Sequence, residues 1–296
     1  MATLNTNAEK AYEKGLKPLL QQEVSKFKPL VTVKNFSTAE EWYMNQIGST
    51  SVSEVADLTA ATVLANTTTA RRQITKSNYY YHELVLDDHL NDMSFDPKSD
   101  LVQNIIKAFK RQMDATIVAA ATAAANTGKN GGTSTTFPAG QIIDSAAAAG
   151  FTYAKVLEAV KLYNTNDFTG ERLACVIGPE QVEELFNIKE FVNSDYTRLQ
   201  ATPIAPGFLG GYLGSMNVGV IIDFYTYGTL TVPASDQRDC LLFPKDGIGL
   251  GVGMEPTVKF VTRGDLNSQL QISVGSIFGA SRLDEEKVVA IRCDES

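Results

Sequence analysis

The chain carries two histidines, His82 and His89, and three cysteines, Cys175, Cys240 and Cys293. These are the side chains best suited to act as bases, nucleophiles or metal ligands near neutral pH. A zincin would need HExxH, with both histidines on one helical face. Here the two stand apart in a β-prone segment, and read as polar residues on a strand and its exit turn. The cysteines are widely separated, odd in number and form no CxxC. That pattern spells neither a zinc module nor a disulfide framework. It fits a reducing cytoplasm, with the thiols as small core or surface residues. No metal or other cofactor is expected.

Phosphate and acyl chemistry find no better footing. Thr127-Gly128-Lys129-Asn130 has the Gly-Lys pair of a P-loop but lacks the earlier glycine and the hydroxyl. It reads as a helix-exit turn. Gly247, Gly249, Gly251 and Gly253 alternate with Ile248, Leu250 and Val252, which suits a strand and not a dinucleotide-binding turn. At a period of two these glycines share one face, so something must approach that face closely. Gly207 to Gly214 (GFLGGYLG) reads as a tight loop for close backbone packing. No GxSxG nucleophile elbow occurs.

The charged residues point elsewhere. Asp87-Asp88 and Glu285-Glu286 are adjacent pairs, which on a strand face opposite ways, so both read as solvated surface. Asp114 is expected to form an ion pair with Lys110, Arg111 or a neighbouring element. Lys107, Lys110 and Arg111 share one helix face, and Arg71, Arg72 and Lys76 lie near the return strand of a loop. The chain has 26 Lys+Arg against 34 Asp+Glu, a net charge of −8. An acidic chain is poorly suited to gripping nucleic acid as its main work. These basic residues, with Asp265, are therefore candidate contacts between copies of the chain; a weak nucleic-acid contact from the helix face is the lesser alternative.

The elements that must position these groups follow from the pattern of apolar residues. In 296 residues, 44% are hydrophobic and 20% charged, which excludes a disordered chain. The first fifteen residues have no apolar h-region, and no stretch reaches the ~18 apolar residues of a membrane span. Residues 4–28 read as a polar arm interrupted by Pro18 and Pro29. Leu30–Val33 and Thr69–Leu86 are β-prone and enclose a soft Ser/Thr/Ala-rich middle, the signature of a long hairpin that cannot form its own core. Asp96 and Pro97 open a helix to Ala125, with Val102, Ile105, Ile106, Phe109, Met113 and Ile117 at helical spacing. At ~1.5 Å per residue it would run about 43 Å, which predicts an elongated subunit with a spine. Residues 128–150 read as a linker. Then Thr152 caps a helix through Tyr163, Leu173–Ile177 is a strand, Gly178-Pro179 opens a helix through Phe186, and Val218–Ile222 is a buried strand. The remainder, from Leu241, is mostly β.

Taken in order, several stretches resemble the major capsid proteins of tailed bacteriophages, a fold shared with encapsulin shells and the herpesvirus capsid floor. Arg71-Arg72, the strand to Leu86, Asp87-Asp88 and then Phe95-Asp96-Pro97 look like the family's extended loop entering its spine helix. Met113-Asp114 and Asn126-Thr127-Gly128 resemble the close of that helix. Arg172 to Pro179 looks like the axial domain, and Gly214 to Ile222 like its glycine turn before a buried strand. Leu241 to Gly251, Phe278 to Leu283 and Val288 to Ile291 resemble the return to the peripheral domain and the last strand.

The resemblance implies an α+β fold with four parts: an N-terminal arm (1–30), an extended loop (31–95), a peripheral domain with the spine helix (96–150 and 255–283), and a mixed α/β axial domain (151–254 and 284–296). It implies a non-enzymatic subunit of hexamers and pentamers in an icosahedral head that encloses double-stranded DNA without sequence-specific binding and without a membrane. Assembly in the host cytoplasm, portal and decoration proteins, and a separate scaffolding protein or none are further expectations, since no long helical extension precedes the fold. No local motif marks a Lys or Asn for isopeptide crosslinking. The nearest rival is an encapsulin-like compartment around an enzyme cargo. An α/β enzyme using Asp223 or Cys175, and a fibre or tail-tube subunit, are weaker alternatives.

Overall fold

A computed structural model describes residues 21–36, 40–52, 54, 64, 66–85, 98–144, 149–166, 172–188, 204–205, 208–211, 221–233 and 237–295. In chain order the strands of the first half are Thr32–Asn35 (β1), Trp42–Ile47 (β2), Thr69–Ile74 (β3) and Ser77–Val85 (β4). Helix Lys98–Thr122 (α1) follows, then strands Ala125–Thr127 (β5), Thr133–Thr135 (β6) and Ile142–Ile143 (β7). Helix Tyr153–Thr165 (α2), strand Arg172–Ile177 (β8) and helix Pro179–Asn187 (α3) come next. The chain closes with Ile204–Ala205 (β9), Phe208–Gly211 (β10), Ile221–Thr226 (β11), Gln237–Pro244 (β12), Ile248–Arg263 (β13), Gln269–Arg282 (β14) and Val289–Asp294 (β15).

A seven-stranded mixed sheet, ordered β7-β15-β12-β8-β11-β10-β9, holds the largest core. Leu173, Val176, Ile177, Leu241, Leu242, Val289 and Ala290 are all buried in it. Runs of this kind, apolar on both faces, are expected of strands covered on both sides. Helix α2 covers one part, presenting Val156, Ala159, Val160 and Tyr163. The expected cap is present, with the Thr152 hydroxyl accepting from the Lys155 amide at 3.5 Å. Lys155 is itself buried, and its ammonium donates to the carbonyls of Ala149 and Arg292 at 2.5 and 2.7 Å. Helix α3 starts as read, with Gly178 at the cap and Pro179 in the first turn.

Two further sheets have four strands each, ordered β2-β3-β5-β6 and β1-β13-β14-β4. The chain divides into two units: residues 1–25, 78–112 and 254–277 form one, and 26–77, 113–253 and 278–296 the other. Helix α1 and strands β13 and β14 contribute residues to both. Within α1, Ile105 and Phe109 are buried in the first unit and Met113 and Ile117 in the second.

Several expectations need correction. The hairpin is closed by β2 against β3, with Trp42 opposite Ile74 and Ile47 opposite Thr69. Thr32–Asn35 instead runs parallel to β13, from Thr32 opposite Gly249 to Asn35 opposite Val252. The long β-prone run is two strands, β3 and β4, because its halves serve different sheets. Helix α1 ends at Thr122, and Ala125–Thr127 pairs with β3. Gly128-Lys129-Asn130 is therefore a turn between strands, not a helix exit. Residues 128–150 are no bare linker, since β6 and β7 both join sheets and Ile143 is buried. Of the strand read at Val218–Ile222, residues 218–220 lie outside the described residues; the described strand is Ile221–Thr226, parallel to β8. Of the Gly207–Gly214 stretch read as a tight loop, Phe208–Gly211 is strand β10, paired with β9 and β11. The Asp96-Pro97 cap, Asp87-Asp88, His89, the polar arm before Gln21, and half of the hairpin middle and of the Gly207–Gly214 stretch lie outside the described residues.

Candidate functional site

The alternating glycines do admit a close neighbour. A Cβ at Gly249 would sit 2.5 Å from Met44 Sδ, and one at Gly251 2.7 Å from Trp42 Cε3. Strand β2 thus lays its two buried side chains, Trp42 and Met44, over the glycine face of β13. Phe36 stacks on Trp42 at 5.4 Å between ring centres. The base of the hairpin is fixed by this lock, which needs both the glycines and the alternation in β2.

A second anchor is ionic. Arg72 is buried, donates from Nε to the Leu283 carbonyl at 2.8 Å, and pairs with Glu285. Gln46 also donates to the Leu283 carbonyl. On the far side of Glu285 stands Arg282, fully buried, at 3.8 Å. Arg282 donates to the carbonyls of Ala121 and Ala123 at 3.0 and 2.8 Å, where α1 ends. A helix leaves its last carbonyls unpaired, and a cation there satisfies them and suits the helix dipole. The guanidinium also lies 5.0 Å from the ring centre of Phe137. Burial lowers the pKa of Arg282, partly opposed by Glu285. Glu285 is thus an internal ligand of two arginines and not solvated surface; Glu286 is exposed as read.

Asp114 also differs from expectation. It is fully buried and accepts from the backbone amides of Lys26 and Phe27 at 2.8 and 3.2 Å. Phe27 packs edge-on to Tyr227 at 5.1 Å, and Lys26 Nζ reaches the Thr226 carbonyl at 2.9 Å. The carboxylate therefore fastens the chain where it enters β1.

The candidate contact residues fall into distinct settings. Arg72 spends its charge inside its own subunit. Lys107 pairs with Glu23 at 2.8 Å, Lys110 Nζ lies 3.4 Å from the Glu23 carbonyl, and Arg111 donates to Gln21 Oε1 at 2.6 Å. That helix face holds the arm segment before β1. Lys107 holds the Glu23 carboxyl below its usual pKa. Asp265 pairs with Arg263 at the exposed β13–β14 turn, which lowers its pKa. Lys76 and Arg71 are exposed.

Two open grooves flank the hairpin base. One, of about 670 Å³, is lined by Gln46, Ile47, Ala70, Arg71, Gly128 and Lys129. The other, of about 460 Å³, is lined by Thr32, Met44, Gly48, Asp246, Leu283 and Lys287. Ile47 is 77% exposed, and Val52 and Leu64 in the hairpin are exposed as well.

Among the described residues no nucleophile, base and metal-ligand set converges on either groove. All three cysteines are buried. Burial drives the Cys175 thiol upward, and a hydrogen bond to Cys293 does the same for Cys240. Asp223 faces Arg172 at 3.4 Å. His82 stands on β4 with Nδ1 3.0 Å from Ser273 Oγ, beside Tyr80. Among the described residues no His, Cys, Asp or Glu group is arranged to hold a metal, and no helix is long and apolar enough to cross a membrane.

The model of the family described as "Phage capsid protein" matches residues 4–295. The chain belongs to the phage capsid protein family. This capsid protein matches no curated protein sequence. Among solved structures it is similar to the capsid of the cyanophage P-SCSP1u, with 17% identity, 98% of this chain and 94% of that one covered, and a TM-score of 0.68. It is similar to the capsid of Ralstonia phage GP4 at 13% identity, covering 100% and 97%, with a TM-score of 0.70. The capsid of Helicobacter pylori bacteriophage KHP30 gives 12% identity, 98% and 96% coverage, and a TM-score of 0.72. The α+β fold of tailed-phage capsids read from the sequence is thus the fold of this capsid protein. It is a major capsid protein of a phage head, with a structural role, and the family match favours that head over a cargo compartment.

The sequence reading missed strand β2, the helix-capping role of Arg282 and the groove that Lys129 and Arg71 both line. The alternation of Trp42 and Met44, which includes the only tryptophan, was the available signal for β2.

Proposed function

We propose that the capsid protein forms the hexamers and pentamers of a closed icosahedral head around double-stranded DNA, assembled in the host cytoplasm. The observation that carries this is the hairpin: among its described residues Ile47, Val52 and Leu64 stand in water. Exposed apolar groups clustered on one element mark an association surface. Closed symmetry satisfies such surfaces in every copy at once. A related fold is described as the "Capsid of empty GTA particle computed with C5 symmetry", which supports five-fold vertices. In this reading the arm is residues 1–30, the extended loop 31–95, the peripheral domain 96–150 and 255–283, and the axial domain 151–254 and 284–296. Arg71, Lys76 and Asp265 reach other copies directly, while Lys107, Lys110 and Arg111 hold the arm that does so. The net charge of −8 supports DNA held by enclosure and not by subunit affinity. Portal and decoration proteins complete the head, with a separate scaffolding protein where one is used.

Electron microscopy of the expressed chain, alone and with its neighbouring-gene products, tests the proposal. Rings or polyhedra are expected. A stable monomer at high concentration, open helical tubes, or steeply salt-dependent tight binding of DNA by the free subunit would refute it.

A further inference from the structure

Strand β3 outruns one of its partners. On one side β2 covers it from Thr69 to Ile74, but on the other β5 pairs only with Arg72 and Gln73. After Thr127 the chain leaves the sheet at Gly128, with φ of +91°, and turns again at Gly131, with φ of +66°. Beside Thr69, Ala70 and Arg71 that edge of β3 therefore carries no strand among the described residues. Backbone N–H and C=O groups alternate between the two sides of a strand, so part of this stretch aims its polar groups into the gap. The 670 Å³ groove runs along this stretch, lined by Thr69, Ala70 and Arg71 of β3, by residues 45–47 of β2 and, toward the open edge, by Gly128 and Lys129; Arg71 and Lys129 are exposed cations.

An open strand edge recruits an extended polypeptide, because only a backbone matches its alternating donors and acceptors. Two flanking cations add a preference for carboxylates. We propose that this groove seats an extended acidic segment of a second copy of the chain, added beside β3, with Arg71 and Lys129 paired to its carboxylates. A second copy is the fitting occupant on charge: the chain carries 34 Asp+Glu against 26 Lys+Arg. The inference rests on the assembly reading above, which brings copies together.

The test uses wild-type particles assembled from a mixture of isotopically light and heavy chains. A water-soluble carbodiimide joins amines to carboxylates in contact, and mass spectrometry reads the joined peptides. Lys129 should be linked to an Asp or Glu in mixed light–heavy pairs. Arg71→Glu should lower the yield of that link several-fold while links elsewhere persist. If Arg71→Glu does not assemble, Arg71→Lys must restore both particles and link. Lys129 linked only within one copy, linked to another protein, or left unlinked in intact particles overturns the proposal. Absence of particles from the wild-type chain is a failure of the assembly reading itself, and micrographs show it before any crosslinking.

Discussion

Arg282 ties together groups that lie far apart in the chain. It satisfies two carbonyls at the end of α1 and shares Glu285 with Arg72. Arg282→Met removes the guanidinium and strands those carbonyls, while Glu285 keeps its pair with Arg72. We expect a loss of about 3 kcal/mol of unfolding free energy in urea, at roughly 1–3 kcal/mol for each buried acceptor left unpaired. Near the chain end, Glu295 accepts from Arg238 and Gln181, and the hydrogen bond from Arg238 chiefly lowers its pKa from 4.5. A carboxyl with a lowered folded pKa adds stability above its unfolded pKa and loses it as pH falls through the folded one. Glu295→Gln should therefore lower the melting temperature near neutrality, and its deficit should shrink as acid protonates the wild-type group. The thiols make a third expectation. Buried, with Cys175 and Cys240 shifted upward, they should stay unreactive to Ellman's reagent in the folded chain and all react once denaturant is added.

At the scale of elements, the lock between β2 and the glycine face of β13 is open to direct test. Met44 can swing its thioether aside, whereas the Trp42 ring, buried and stacked on Phe36, has no such freedom. Gly251→Ala should cost about 1–3 kcal/mol, the range for overpacking, and Gly249→Ala less. Differential scanning calorimetry of the two variants measures the order. This region also shows what was legible beforehand. The period-two glycines, the Thr152 cap, the Gly178-Pro179 helix start and the 105-109-113-117 stripe are local patterns, and the chain writes local patterns in the open. The parallel pairing of Thr32–Asn35 with residues 249–252 joins segments far apart in sequence, and nothing near Thr32 announces its partner. Asp114 misled for a related reason: its partners are backbone amides, which every residue possesses. Arg282 and Glu285 acquired their roles only when the end of α1 came beside them.

For the whole molecule, the hairpin is where a single chain is least satisfied. Replacing Ile47, Val52 and Leu64 by serine removes apolar surface that the subunit itself leaves exposed. The variant should therefore melt within about 1 °C of wild type, because exposed substitutions barely change stability. Its particle yield in sucrose gradients should fall at least several-fold. A variant that assembles normally would place the association surface elsewhere. The family and fold were readable because the order of weak motifs along the chain is itself information. The grooves beside the hairpin base were not, since strands distant in sequence form their walls.

The parallel seat of β1 on β13 also sets a clock. Thr32 cannot find Gly249 until nearly the whole chain has left the ribosome. Such distant pairings fold slowly and come late. Until then the hairpin base has no floor, so a nascent chain cannot offer a finished joining surface to its neighbours. In the assembly proposed above, translation itself thereby withholds half-made subunits from the growing shell.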